Sequence, residues 1–275
     1  VKAYIVTIGT AARMHTSKWI ADAGIEYAYV THTKAMADKV QAVDPDADII
    51  VTGRKGLLSS RNYILEKLVP RGEWFIGLDD NVQYLTRVNS VFLHLIRLEQ
   101  DEPPPDPWRN WREVYNTVLS IKRYAGAFEN LRKRCVQRAT PYGALACQPN
   151  PFWRKQRWSY MRYAKSKAFV MQNVRDLRWG GGDISHDCWM TMFCKANYGG
   201  VVVDNWTYPW QVNNEPGGIG TYDERKAQVD SDNQVIAREW AGLCHYDARH
   251  ANTLRFDVHT EAALNKWRRA NGYLK

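Results

Sequence analysis

Two adjacent carboxylates, Asp79 and Asp80, close the run Arg71-Gly-Glu-Trp-Phe-Ile-Gly-Leu-Asp-Asp-Asn-Val-Gln-Tyr-Leu85. Neighbouring acids repel each other unless a cation or a ligand hydroxyl compensates them. The chemistry they suit is a divalent metal held together with the diphosphate of a nucleotide-sugar donor. The competing reading is a solvated turn, for which Asp-Asp-Asn is ordinary. A second acid, Asp183, follows three glycines in Arg178-Trp-Gly-Gly-Gly-Asp183, and Asp187 stands about one helical turn further on. Glycines let backbone approach a ligand closely, yet Asp is also a preferred helix N-cap, so Asp183 has both a site and a structural reading.

The elements that must position these acids are strands alternating with helices. The pattern predicts strands over Ala3–Ile8, Glu26–Thr31, Ala47–Thr52 and Trp74–Leu78. Between them it predicts helices near Thr16–Ala23, Lys34–Val40 and Arg61–Leu68. Ser59 or Ser60 is expected to cap the third helix, and Pro70 to break it. Such alternation implies a parallel sheet with right-handed crossovers, so the strand ends share one edge. Ligands collect outside the carboxyl ends of strands in open α/β sheets. Thr10, Arg13, Thr31, His32, Arg54 and Lys55 then join the acids along one rim. The cations suit a diphosphate, as do the free backbone N–H groups opening the third helix. Neither G-x-G-x-x-G after the first strand nor G-x-x-x-x-G-K-[ST] is present, so the dinucleotide and P-loop fingerprints are both missing.

With 275 residues and 45% hydrophobic content, the chain is long enough and apolar enough for a sizeable core. It has no apolar run of bilayer length, and the expectation is no leader and no membrane. Five cysteines without a C-x-x-C pair argue against a disulfide framework or a cysteine zinc site, and point to a reducing cytoplasm. A net charge of +9, with twelve Trp and fifteen Tyr, suggests a polyanion that also stacks. Nucleic acid is the partner with both properties.

Beyond Leu85 the pattern changes. The stiff loop Asp101-Glu-Pro-Pro-Pro-Asp-Pro107 leads into two expected helices, Trp108–Tyr124 and Phe128–Arg138, and the strand Tyr142–Cys147. Cations and aromatics then interleave through Pro151–Lys167. Trp153, Arg154, Lys155, Arg157, Trp158 and Arg162 are candidate nucleic-acid contacts there, with Trp179 and Gly181 beyond them. The same alternation fits an amphipathic strand pair with its aromatics in the core. A strand over Ala168–Asn173 and a helix ending at Asn197-Tyr-Gly-Gly200 follow. The loop Asn213–Gly220 reads as either a lid or a connector. A helix over Asp223–Trp240 and a terminal helix over Thr260–Arg269 complete the chain.

The Ser-Ser-Arg-Asn-Tyr-Ile-Leu helix followed by Gly-Glu-Trp-Phe-Ile-Gly-Leu-Asp-Asp-Asn resembles the N-terminal half of GT-A glycosyltransferases, over about the first 85 residues. Trp-Gly-Gly-Gly-Asp183, with the helix and Val201-Val-Val-Asp204 after it, resembles their acceptor-side "GGED" motif; Gly182 stands where Glu is usual. The resemblance implies an α/β fold with a nucleotide-binding half (1–85), a helical insertion (86–141) and an acceptor half (142–275). It implies Asp80 as ligand of Mn2+ or Mg2+, Asp79 as ribose or sugar contact, and Arg61 as donor contact. It further implies Asp183 as the acceptor-side base, supported by Asp187, and His250 as a further metal ligand. Asn81 departs from members with a third acid.

As a whole the pattern is similar to the phage-encoded TET-associated glycosyltransferases, which add sugars to 5-hydroxymethylcytosine in DNA. The implied donor is UDP-glucose or a similar nucleotide sugar. Three alternatives stand beside this: a GT-A enzyme acting on a saccharide, lipid or protein; a sugar nucleotidyltransferase; and a non-catalytic nucleic-acid-binding protein.

Overall fold

In the computed structural model, the described residues are 1–7, 14–88, 116–146, 156–182, 184–211, 222–248 and 253–274. Thirteen strands are defined among them: β1 (Ala3–Val6), β2 (Tyr27–Thr31), β3 (Asp48–Val51), β4 (Trp74–Asp79), β5 (Val82–Val88), β6 (Asn116–Val118), β7 (Tyr142–Leu145), β8 (Trp158–Ser159), β9 (Ala168–Gln172), β10 (Val202–Asp204), β11 (Thr207–Gln211), β12 (Cys244–Asp247) and β13 (Thr253–Phe256). The α-helices are α1 (Ser17–Ile20), α2 (Lys34–Val43), α3 (Leu57–Tyr63), α4 (Tyr124–Gln137), α5 (His186–Tyr198), α6 (Tyr222–Glu239) and α7 (Glu261–Ala270).

An eight-stranded sheet in the order β3-β2-β1-β4-β9-β7-β10-β8 forms the centre. It is mostly parallel: β9 and β8 run against the rest. The α/β expectation holds, and so does the common direction of the first four strands. Alternation along the strands feeds two cores. Tyr4, Phe75 and Phe169 face one layer with Trp179 and Trp189. Ile5, Ile76 and Val170 face the other with Phe128 and Leu131.

A side chain at Gly77, in the sheet's centre, would have to displace its neighbour's ring. A Cβ there would lie 1.9 Å from the Phe169 ring of the adjacent β9.

Two sequence expectations fail for local reasons. Ser60 does not cap α3 but sits inside it, its hydroxyl donating to the Gly56 carbonyl at 3.1 Å. Gly56, at φ +99°, occupies the N-cap position instead. The helix then widens into a π-helical turn over Ile64–Leu68. The expected helix over Trp108–Tyr124 also fails in its described part. Residues 116–118 pair as β6 with Thr86–Val88 at the end of β5. A 3₁₀ turn, Ile121–Arg123, then leads into α4.

Within 86–141, the described residues are 86–88 and 116–141. They complete a three-stranded sheet, β11-β5-β6, and supply α4, whose Tyr124, Phe128, Leu131 and Cys135 are buried. Thr33 caps α2 and Thr260 caps α7, each accepting a backbone N–H at 3.2 Å. No helix among the described residues is long and apolar enough to cross a membrane.

Candidate active site at the sheet rim

Strand β4 ends at Asp79, opposite Val6 at the end of β1. The two acids then diverge. Asp80 is 5% exposed and accepts from the Thr7 hydroxyl at 2.8 Å. Its turn is clamped by Thr16, whose hydroxyl donates to the Asp79 carbonyl at 2.7 Å, and by the Trp19 indole, which donates to the Val82 carbonyl at 2.8 Å. Asp79 keeps 31% of its side chain accessible, making it the more open acid of the pair. It accepts from Arg61 Nη2 at 3.3 Å and from Gln211 Nε2 at 3.1 Å. Burial pushes its carboxyl above the usual range, against the pull of Arg61 and Gln211.

Arg61 reaches this point from inside the protein. It lies 4.7 Å from the Trp179 ring centroid and 5.5 Å from that of Phe169. It donates to the Ser166 carbonyl at 2.9 Å and also to the Ser166 hydroxyl. Asn62, beside it, forms a reciprocal pair with the Trp179 backbone, at 2.7 and 3.0 Å. The α3 terminus is thereby locked to the loop before α5. Ser166 is at the rim because β9 runs antiparallel to β4, so the start of β9 meets the end of β4; the Asp79 N–H donates to the Lys167 carbonyl at 2.9 Å.

Asp187, in the first turn of α5, closes the cluster 3.9 Å from Arg61. It accepts from the Ser166 N–H at 3.1 Å, the Ser166 hydroxyl and the Tyr163 hydroxyl at 3.2 Å. Burial works to raise its pKa. The His186 ring 3.1 Å away, Arg61 and Ser166 outweigh burial and hold it well below the usual carboxylate range. The helix N-terminus favours an anion there too. Such a carboxylate is a weak proton acceptor. Asp187, expected beside Asp183 in catalysis, is engaged here by Ser166, Tyr163 and His186 at the start of α5.

The glycine loop before α5 is shaped by packing. A Cβ at Gly181 would lie 2.7 Å from Trp189 Cβ, and one at Gly182 would lie 2.1 Å from the Asp232 carboxylate. Asp232, on α6, accepts the N–H groups of Ile184 and Ser185 at 3.2 Å each. It supplies a carboxylate to the backbone N–H groups at the start of α5.

The other candidates divide. Thr31 is buried, and Arg54 is paired with Glu66 at 2.7 Å beneath β3, while Lys55 is exposed nearby. Trp179 is 2% exposed and covered by Arg61 and His186, so it is a core residue and not a stacking platform. Gly181 likewise faces packed side chains. Arg157 and Trp158 are half-buried on β8 and just before it, and Arg162 is exposed. Thr10, Arg13, Trp153, Arg154, Lys155, Asp183 and His250 lie outside the described residues, as does the Asn213–Gly220 loop.

Among the described residues, no three His, Cys, Asp or Glu side chains converge as a metal cluster. The sequence reading missed Ser166, Tyr163, Gln211 and Asp232. No local motif marks them; only the antiparallel entry of β9 brings Ser166 to Asp79. No protein-family model matches the chain, and comparison with curated proteins finds no match.

Proposed function

We propose that this chain is a GT-A-type glycosyltransferase that moves a sugar from a nucleotide sugar, such as a UDP-sugar, onto the hydroxyl of 5-hydroxymethylcytosine in DNA. The observation that carries the reading is the meeting of Asp79, Arg61 and Asp187 at the carboxyl edge of a mostly parallel sheet. They come from β4, α3 and α5, and edges of this kind are where α/β folds hold ligands.

In this reading Asp79 and Asp80 hold a divalent ion. The fit rests on the half-open Asp79 carboxyl, whose charge is penalised by burial and which a cation would relieve. Hard oxygen donors of this type suit Mg2+ or Mn2+ alongside substrate phosphates. The ion would supply neutralisation of the departing diphosphate.

Arg61 positions Asp79, since its guanidinium is spent on Ser166, Asp79 and the Trp179 face. Lys55, exposed beyond the end of β3, is a cation available to donor phosphates there, since its neighbour Arg54 is held by Glu66. The base is Asp183. It takes the proton from the acceptor hydroxyl as that oxygen bonds to the sugar carbon and the bond from the sugar carbon to the diphosphate oxygen breaks. A base hydroxyl in a duplex becomes reachable when its nucleotide flips out of the stack.

The test incubates the chain with a panel of nucleotide sugars and with hydroxymethylated or plain DNA, followed by mass spectrometry of the nucleosides. A sugar adduct confined to 5-hydroxymethylcytosine is the expected result. Transfer to a saccharide, lipid or protein instead would replace the acceptor. No transfer, with DNA still bound, would leave a nucleic-acid-binding protein.

A further inference from the structure

We infer that a nucleic-acid backbone docks along a ladder of arginines and aromatic rings on the β8 edge of the large sheet. This rests on the reading of DNA as acceptor and names the surface that holds it. The ladder runs Arg157, Trp158, Arg134, Tyr160, Arg138. Arg157 lies 4.6 Å from the Trp158 ring centroid, and Arg134 lies 6.0 Å from the same ring on its way to Tyr160 at 5.4 Å. Arg138, one turn further along α4, lies 3.9 Å from Tyr160. Positions four apart on a helix share a face, so α4 presents both arginines to the edge strand.

The line is cationic beyond its five members. Burial chiefly, with Arg157 and Arg123 adding to it against the pull of Asp204, holds the pKa of Arg87 on β5 below the usual arginine range. Among the described residues, Arg87, Arg123 and Arg134 have no carboxylate partner within ion-pair distance. The carboxylates that do face the ladder are Asp204, fully buried and 3.2 Å from Arg157, and Glu261, paired with Arg138. Glu129 on α4 is held by Arg132 at 2.7 Å.

A guanidinium laid against a ring has lost its rotational freedom before a phosphate arrives. Arg134 donates to Gln137 and, among the described residues, to no carboxylate, while Arg157 and Arg138 offer the N–H groups left over from Asp204 and Glu261. Charges repeated along a line match a repeating polyanion better than a compact metabolite. The direction also fits. Asp204 ends β10 at the same sheet edge where Asp79 ends β4, so a strand lying along β8 leads from the ladder to the rim.

The experiment is a polarisation titration of a labelled hydroxymethylcytosine duplex against the full chain, without donor, over a series of salt concentrations. Arg134→Gln with Arg138→Gln is compared with Lys34→Gln with Lys39→Gln, which removes the same charge from exposed positions on α2. The ladder pair should weaken binding by roughly tenfold or more and flatten the log–log salt slope by about two. The α2 pair should change affinity less than about twofold. Equal losses from both pairs would overturn the ladder, as would displacement of DNA by polyglutamate at matched charge. If the ladder pair does not fold, Arg138→Gln alone, at an exposed position, carries the same comparison against Lys39→Gln alone. Transfer failing with ladder-dependent binding intact counts against glycosyl transfer only, and ladder-independent binding counts against the ladder only.

Discussion

Arg61 meets Asp79 at 3.3 Å from beneath the sheet rim, with the guanidinium side chain 5% exposed and the carboxylate side chain 31% exposed. The anion is thus balanced from the protein side and open on the other. Charge buried in this way is held only while its partner stays in place.

Asp79→Asn separates chemistry from folding. The amide keeps a hydrogen-bond acceptor for Gln211 and removes the burial penalty on the charge. Urea denaturation should move by less than about 1 kcal/mol, because the lost ion pair and the relieved penalty oppose each other. Transfer should fall by about a hundredfold or more if the carboxylate acts on the donor. Wild-type turnover by the variant would remove the rim from the mechanism.

Asp187→Asn should alter acid stability. The folded carboxyl titrates below its unfolded value, so it stabilises the fold above the ordinary carboxylate range and loses that contribution as pH falls. The gap between wild type and variant in chemical denaturation should therefore be full near neutrality. It should shrink as pH falls below about 4. A constant gap would mean that its charge does not contribute. If Asp187 anchors the site, removing it should not shift the basic or acidic limb of the pH–rate profile in the way that loss of a general base would.

Lys195 on α5 is fully buried, 4.3 Å from the Phe256 ring, and its ammonium has no hydrogen-bond partner among the described residues. Burial lowers its pKa to about 8, from 10.5. Between those values the unfolded chain binds the proton and the folded chain does not, so stability rises with pH across that window. The slope contributed is about 1.4 kcal/mol per pH unit. Lys195→Met should be the more stable protein at pH 7, and its advantage should shrink as pH climbs towards 10.5. Paired denaturant titrations of the two proteins cancel the tyrosines and cysteines that also titrate there.

Gly77→Ala should destabilise by roughly 1–3 kcal/mol through overpacking against Phe169. Phe169→Leu on the same chain should recover part of that loss, since the clash is with the ring's far atoms. A double-mutant cycle measures the coupling, and strict additivity would show that the two do not compete for the same space.

Much of this was legible in the sequence because it is local. The four parallel strands announce themselves as short apolar runs alternating with helical segments. Arg61 and the Asp79-Asp80 pair were named from their own segments. What escaped depends on distant pairing. Asn116–Val118 is too short to declare itself a strand until β5 offers an edge. Asp232 reaches the start of α5 from 47 and 48 positions away. Ser166 and Gln211 are ordinary polar residues until the sheet brings their strands to Asp79. Trp179 read as a surface aromatic because composition cannot tell a stacking ring from a core ring.

The β8 edge has a second consequence, for the protein's behaviour in company. An open sheet edge invites pairing with another chain's strand, and aggregation follows where edges are long and apolar. Here the outermost strand is two residues long and flanked by Arg157, Arg134 and Arg138. Two copies approaching edge to edge would bring these like charges together. The residues that would welcome a polyanion would therefore also keep the protein's own sheets apart.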